Sequence, residues 1–295
     1  MTSSWMLASL LASALLAAAA MTWERVVTLK RGLPLRWTWV VAMALAAGYS
    51  GAWLMPSAAP MGAGQLIADQ AIDPTRTTAG GEVTARVQQS APPTPAEIRT
   101  AWSRLRSAVR LPQLPASVDR NIQIFWGSLS SLLLLALAWS SARLMRERRA
   151  WHTATIRNLQ VLVSDGFGPA IVGVLRPTIV VPPWVLTLDV VAQETILAHE
   201  EEHRRAGDPR LLLAGLGFLV LMPWNVGLWM MWRRLGRAIE LDCDERVIAR
   251  GVPDAAYASV LLGAWQRAHG DAMWVPSPAF AEHASGLGQI GRAHV

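Results

Sequence analysis

Residues 199–203 read His-Glu-Glu-Glu-His, the spacing at which a helix turns two imidazoles to one face. Side chains four apart on a helix have Cβ atoms about 5–6 Å from one another, close enough for both rings to reach one cation. The glutamate after the first histidine, Glu200, then stands beside that cation, placed to take a proton from water. The chemistry implied is metal-assisted hydrolysis, with Zn²⁺ as the cofactor and His199 and His203 as two of its ligands. Glu201 and Glu202 are expected to form the solvated face of the same helix.

A zinc hydrolase needs a third protein ligand and an open position for water. The best candidate is Glu240, in the stretch Arg237-Ala238-Ile239-Glu240-Leu241-Asp242-Cys243-Asp244. Helical spacing puts Asp244 on the same face one turn along, where it can hydrogen-bond a ligating histidine from behind. Asp208, just after the first helix, either serves the same purpose or caps the next helix. Cys243, the single cysteine, excludes an internal disulfide framework and is expected as a small buried residue. His269 and His283 read as ordinary tail histidines, and His152 carries no signal.

The elements that must position these residues are legible on either side. Short β-type runs at 159–163, 170–175 and 178–181 are punctuated by Asp165-Gly166, Gly168-Pro169, Pro177 and Pro182-Pro183. A helix is predicted from Asp189, a good N-cap, to about Arg205, with Gly207 as its terminator. The order is strands, then a metal-binding helix.

The rest of the chain points to a bilayer. Of its 295 residues 52% are hydrophobic and only 16% charged, against about 25% charged in an average soluble domain. The deficit is concentrated in the uncharged runs 5–22, 37–55 and 122–142, each near the ~20 residues that span a membrane. Trp5, Trp23, Trp37, Trp53, Trp126 and Trp139 lie in or at the edges of these runs, as interfacial aromatics do. The first run reads as a retained helix rather than a signal peptide, because its flank MTSS lacks positive charge. Arg25, Lys30, Arg31 and Arg36 in one loop, and Arg143, Arg146, Arg148 and Arg149 after the third run, should face the cytoplasm. That puts the N-terminus and residues 56–121 outside a plasma (inner) membrane. The net charge of +6 is explained by these flanks and calls for no nucleic-acid partner. Within the outer loop, 56–93 reads as a flexible tether and 94–111 as a basic amphipathic helix lying on the membrane surface.

Residues 211–232 are long and apolar enough for a fourth span. Crossing would put His203 and Glu240 on opposite sides of the membrane, and arginines flank both ends. Pro223 and Asn225 interrupt the middle. The expectation is therefore a re-entrant or interfacial helical hairpin bent near Pro223.

Four segments, GPAIVGVLRPTIVVP (168–182), ILAHEEEHRRAGDP (196–209), PWN (223–225) and ELDCDERV (240–247), resemble the BlaR/MecR-type membrane metallopeptidases over about residues 1–265. The resemblance implies Glu240 as the third zinc ligand, a gluzincin-like α+β peptidase domain in an α-helical membrane protein, and a cytoplasmic transcriptional repressor as the usual substrate. The expected organisation is two transmembrane helices in 1–55, an extracytoplasmic loop at 56–121 and a third transmembrane helix at 122–145. A cytoplasmic-face zinc peptidase domain at 146–265 then contains the hairpin 211–232, and a tail fills 266–295. Family members that detect β-lactams carry a further helix and a penicillin-binding sensor domain. Neither is legible after residue 250, so the chain reads as a sensor-less relative or a fragment, and antibiotic sensing is not supported. The function expected is a membrane zinc endopeptidase that cleaves a regulator. The alternatives are an inactive adaptor that binds a regulator, or a housekeeping membrane-protein protease.

Overall fold

A computed structural model describes residues 2–28, 34–52 and 115–270. The amphipathic helix expected at 94–111, the tether at 56–93 and His283 lie outside the described residues, as does the side chain of His269.

The apolar runs fold as helices that extend past their uncharged cores. Helix α1 spans Thr2–Thr28, α2 Leu35–Ala52 and α3 Ala116–Glu147. Two stretches, Thr2–Val26 and Ala116–Ala150, are long and apolar enough to cross a membrane by length and composition. The second expected span, 37–55, is described only to Ala52. No residue of α3 is buried, and Phe125, Leu132, Leu135 and Trp139 are each more than 60% exposed. A continuous apolar surface of this kind marks a face that lipid or another protein covers.

Helices α1 and α2 run antiparallel, which gives the bundle two distinct ends. At one end the Asp119 carboxylate of α3 accepts from the backbone N–H groups of Thr2 and Ser3, closing the open first turn of α1. Nearby, Trp5 donates its indole N–H to the Ser50 carbonyl and packs against Trp126 and Trp224. At the other end, Asp242 accepts from the N–H groups of Leu35 and Arg36 at 2.9 and 3.1 Å and so caps α2.

Between the ends, residues 208–248 fold back on themselves. Helix α5 (Asp208–Leu221) and helix α6 (Val226–Ile248) are joined by the turn at Met222–Asn225. Asn225 is the N-cap of α6: its Oδ1 accepts from Leu228 N–H and from the Ser13 hydroxyl of α1. Proline and asparagine thus break the apolar run at the point of reversal. Gly227 allows α1 to lie against α6, because a Cβ there would overlap the Ser13 side chain. The reversal brings Glu240 back to the end that carries the two histidines.

A four-stranded sheet precedes the metal-binding helix: β1 (His152–Ile156), β2 (Leu159–Val163), β3 (Ala170–Val172) and β4 (Thr178–Val181), in the order β1-β2-β4-β3. Strands β1 and β2 form an antiparallel hairpin, β2 and β4 pair in parallel, and β3 and β4 are antiparallel. The run at 170–175 is shorter than expected, because Gly173 takes φ +99° and turns the chain. Strand β1 went unread in the sequence. It is joined to β2 by Arg157 and Asn158, both at positive φ, the backbone of a two-residue type I′ hairpin. Ile156, Val161, Ile179, Val181 and Val185 pack the sheet under Ile196 and Leu197 of helix α4 (Val190–Ala206). Helix α7 (Asp254–Gly270) closes the other side through Tyr257 and Leu261, packed with Cys243 and Val247 of α6.

Candidate metal centre

Helix α4 is defined by its two ends. The Asp189 carboxylate accepts from Ala192 N–H at 2.9 Å, and Gly207 terminates the helix in the left-handed region at φ +71°. His199 and His203 therefore sit in the last two turns, on the face toward α6. Their rings are nearly perpendicular, with the two Nε2 atoms 3.1 Å apart. Glu240 on α6 brings Oε2 to 3.4 Å from Nε2 of His203 and 3.7 Å from Nε2 of His199.

The outer ring nitrogens are held as well. His203 Nδ1 lies 2.8 Å from Asp208 Oδ2, which obliges it to carry the proton. Tyr257 donates its hydroxyl proton to Asp244 Oδ1 at 2.7 Å, so toward His199 Nδ1, also at 2.7 Å, it accepts. Both Nδ1 atoms are thus donors, and both Nε2 atoms turn inward. Of the two roles open to Asp208, the structure gives it the histidine. Asp244 reaches His199 through Tyr257, its own oxygen being 3.5 Å from Nδ1. No sequence pattern marks Tyr257, which arrives on α7 by tertiary packing alone.

The charges agree with this arrangement. Burial opposes a charge on His203, but Glu240 and the bond to Asp208 outweigh it and hold the imidazole well above its ordinary value. Glu240 thus favours positive charge beside the two Nε2 atoms, where a bound cation would take the place of a proton. Burial pushes the Glu200 carboxyl up to about 7; the His203 charge works against this and the Glu240 charge adds to it.

The donor set fits a tetrahedral cation. Ligand distances of about 2.0–2.2 Å require donor atoms about 3.3–3.5 Å apart along each edge of the tetrahedron. The three edges here are 3.1, 3.4 and 3.7 Å. A second set shares the same histidines, because donor atoms of His199, His203 and Cys243 lie within 4.8 Å of one another. The sulfur lies 3.6 Å from Nδ1 and 3.5 Å from the carbonyl of His199, and it also interacts with the His203 side chain. Burial raises the Cys243 thiol, and the His203 side chain beside it works against this. Cys243 is fully buried, as expected for it, and packs with Val247, Tyr257 and Leu261, so that both it and Glu240 stand within reach of the histidine pair.

One expectation fails. Glu201 and Glu202 do not face solvent: they are 7% and 4% exposed. Glu201 accepts from Arg204 at 2.6 and 2.8 Å and from Arg205 at 2.9 Å. Glu202 is covered by Arg246, 3.3 Å away near the end of α6, and by Arg250 just beyond it. Helical periodicity alone could not reveal that a distant helix lays its arginines over this face.

A search of curated proteins finds no match. The family model described as BlaR1 peptidase M56 matches residues 131–284, which include the sheet, both histidines, Glu240 and Tyr257. That is more than half of the 295 residues. The chain therefore belongs to the BlaR1 peptidase M56 family, a family of membrane-associated metallopeptidases.

Proposed function

We propose that the protein is a multi-pass zinc endopeptidase of the plasma (inner) membrane that cuts a cytoplasmic regulator, a transcriptional repressor being the substrate class. His199, His203 and Glu240 would hold the Zn²⁺, with Asp208 and Asp244 fixing the histidines from behind. The observation that carries this reading is the convergence of two Nε2 atoms and one carboxylate oxygen at the edge lengths of a tetrahedron. When bound, the ion supplies Lewis-acid polarisation and a lowered pKa for water.

The remaining chemistry belongs to the chain. Glu200, one residue from His199, accepts the proton of the attacking water and returns it to the leaving amine. A carboxyl poised near 7 suits both halves of that task at neutral pH. Strand β3 is an edge strand of the sheet, and an extended peptide substrate could pair with it as an added strand.

The bilayer is the second partner. The bare apolar surface of α3 supports it, as do the arginines gathered toward the end that carries the histidines. The N-terminus is then outside and the metal centre cytoplasmic. The test is metal stoichiometry by mass spectrometry on detergent-purified protein. About one zinc per wild-type chain, lost in Glu240→Ala, supports the site, and no zinc in folded wild type refutes it. A reporter after residue 236 that reads outside the cell would refute the orientation.

A further inference from the structure

Arg36 lies in the first turn of α2, in sequence far from either histidine. Its guanidinium Nη1 is 3.0 Å from Asp208 Oδ1, while the other oxygen of the same carboxylate, Oδ2, holds His203 Nδ1 at 2.8 Å. The two oxygens are divided between two partners, so the rotation of the carboxylate is set by both. Asp208 is 2% exposed and Arg36 13% exposed, which leaves water little room to replace either.

Arg36 is itself fixed. Its backbone N–H is bonded to Asp242 of α6, two residues beyond Glu240, and its guanidinium lies 5.8 Å from the Trp37 ring. A competing cation is present: Arg246 Nη2 lies 3.7 Å from the same Oδ2 that His203 uses. Without Arg36 on Oδ1, the nearest remaining guanidinium pulls on the oxygen that orients the imidazole.

We infer that Arg36 is a positioning residue for the metal centre, holding Asp208 so that His203 presents Nε2 correctly, and that it thereby ties metal affinity to the end of helix α2. This rests on the metal-binding reading above. A purely structural anchor would be needed for folding but would act on affinity independently of Asp208. A positioning residue acts through Asp208, and its effect disappears when Asp208 no longer performs its role.

The experiment is a double-mutant cycle on zinc affinity. The full chain in detergent is titrated with zinc against a competing chelator for wild type, Arg36→Met, Asp208→Asn and the double variant. Arg36→Met is expected to weaken zinc binding about tenfold and Asp208→Asn by about 10–100-fold, with the double variant no weaker than Asp208→Asn. Unchanged affinity in Arg36→Met, or losses that add in the double variant, would overturn the inference while leaving the metal centre standing. Wild type that binds no zinc would overturn the metal centre itself, and this inference with it. If Arg36→Met does not fold, Arg36→Lys gives the same test: a smaller loss, likewise silenced by Asp208→Asn.

Discussion

Replacing Glu200 with Gln should make the metal-free protein more stable while destroying its activity. Glu200 is buried, and burial raises its pKa from 4.5 to about 7. A carboxyl with a raised folded pKa binds its proton more tightly in the native state. Its contribution to stability is therefore fully present below 4.5 and is lost as pH rises through about 7. Gln is neutral at every pH and close to isosteric, so it escapes this loss. Taking the two pKa values, the gain of Glu200→Gln over wild type is under about 0.5 kcal/mol at pH 4.5, about 2 kcal/mol at pH 6 and about 3 kcal/mol at pH 8. At pH 8 this is roughly 5–10 °C in Tm. The assay is thermal unfolding of chelator-treated protein in detergent, followed by circular dichroism across that pH range. Equal Tm values for variant and wild type at pH 8 would refute the claim that a desolvated charge is held at this position. With zinc restored, cleavage by wild type should rise along an acid limb at or below about 7, since a nearby cation lowers the pKa further. The variant should bind zinc and show no such cleavage.

Three further outcomes are expected. Tyr257→Phe should weaken zinc binding by no more than about tenfold, because Asp244, 3.5 Å from His199 Nδ1, can close the gap directly; a hundredfold loss in chelator competition would show that it does not. Gly227→Ala should cost about 1–3 kcal/mol, or prevent folding, by forcing α6 away from Ser13, and a Tm equal to wild type would contradict that close approach. Arg157→Asn should raise stability by up to about 1 kcal/mol: Asn tolerates the positive φ of the hairpin turn better, and the lost pair with Glu194 is half exposed and worth little. A lower Tm would show that the ion pair outweighs the backbone strain.

What the sequence disclosed of this centre follows the range of the forces involved. The spacing of His199, Glu200 and His203, the cap at Asp189 and the stop at Gly207 are decided within one helix, and local rules suffice for them. Glu240 came within reach through a charge argument: arginines on both flanks of 211–232 made a simple crossing unfavourable, and the chain does turn at Asn225. Tyr257, Arg36 and the burial of Glu202 have no local signature. Each depends on where a helix remote in sequence comes to rest, and a surface acid and a buried one look alike until the covering arginine is located. Strand β1 was hidden for a similar reason. Its five residues follow an arginine cluster and become a strand only by pairing with β2.

The cap that Asp242 places on α2 bears on how the chain is made. Pro34, which precedes α2, has no side-chain oxygen to accept the first amides, and the acceptor is supplied about two hundred residues later. A ribosome releases α2 long before it releases α6. The second helix to emerge is therefore finished only when the hairpin carrying Glu240 has folded back, so that the candidate metal centre and the helical bundle are completed by one late event.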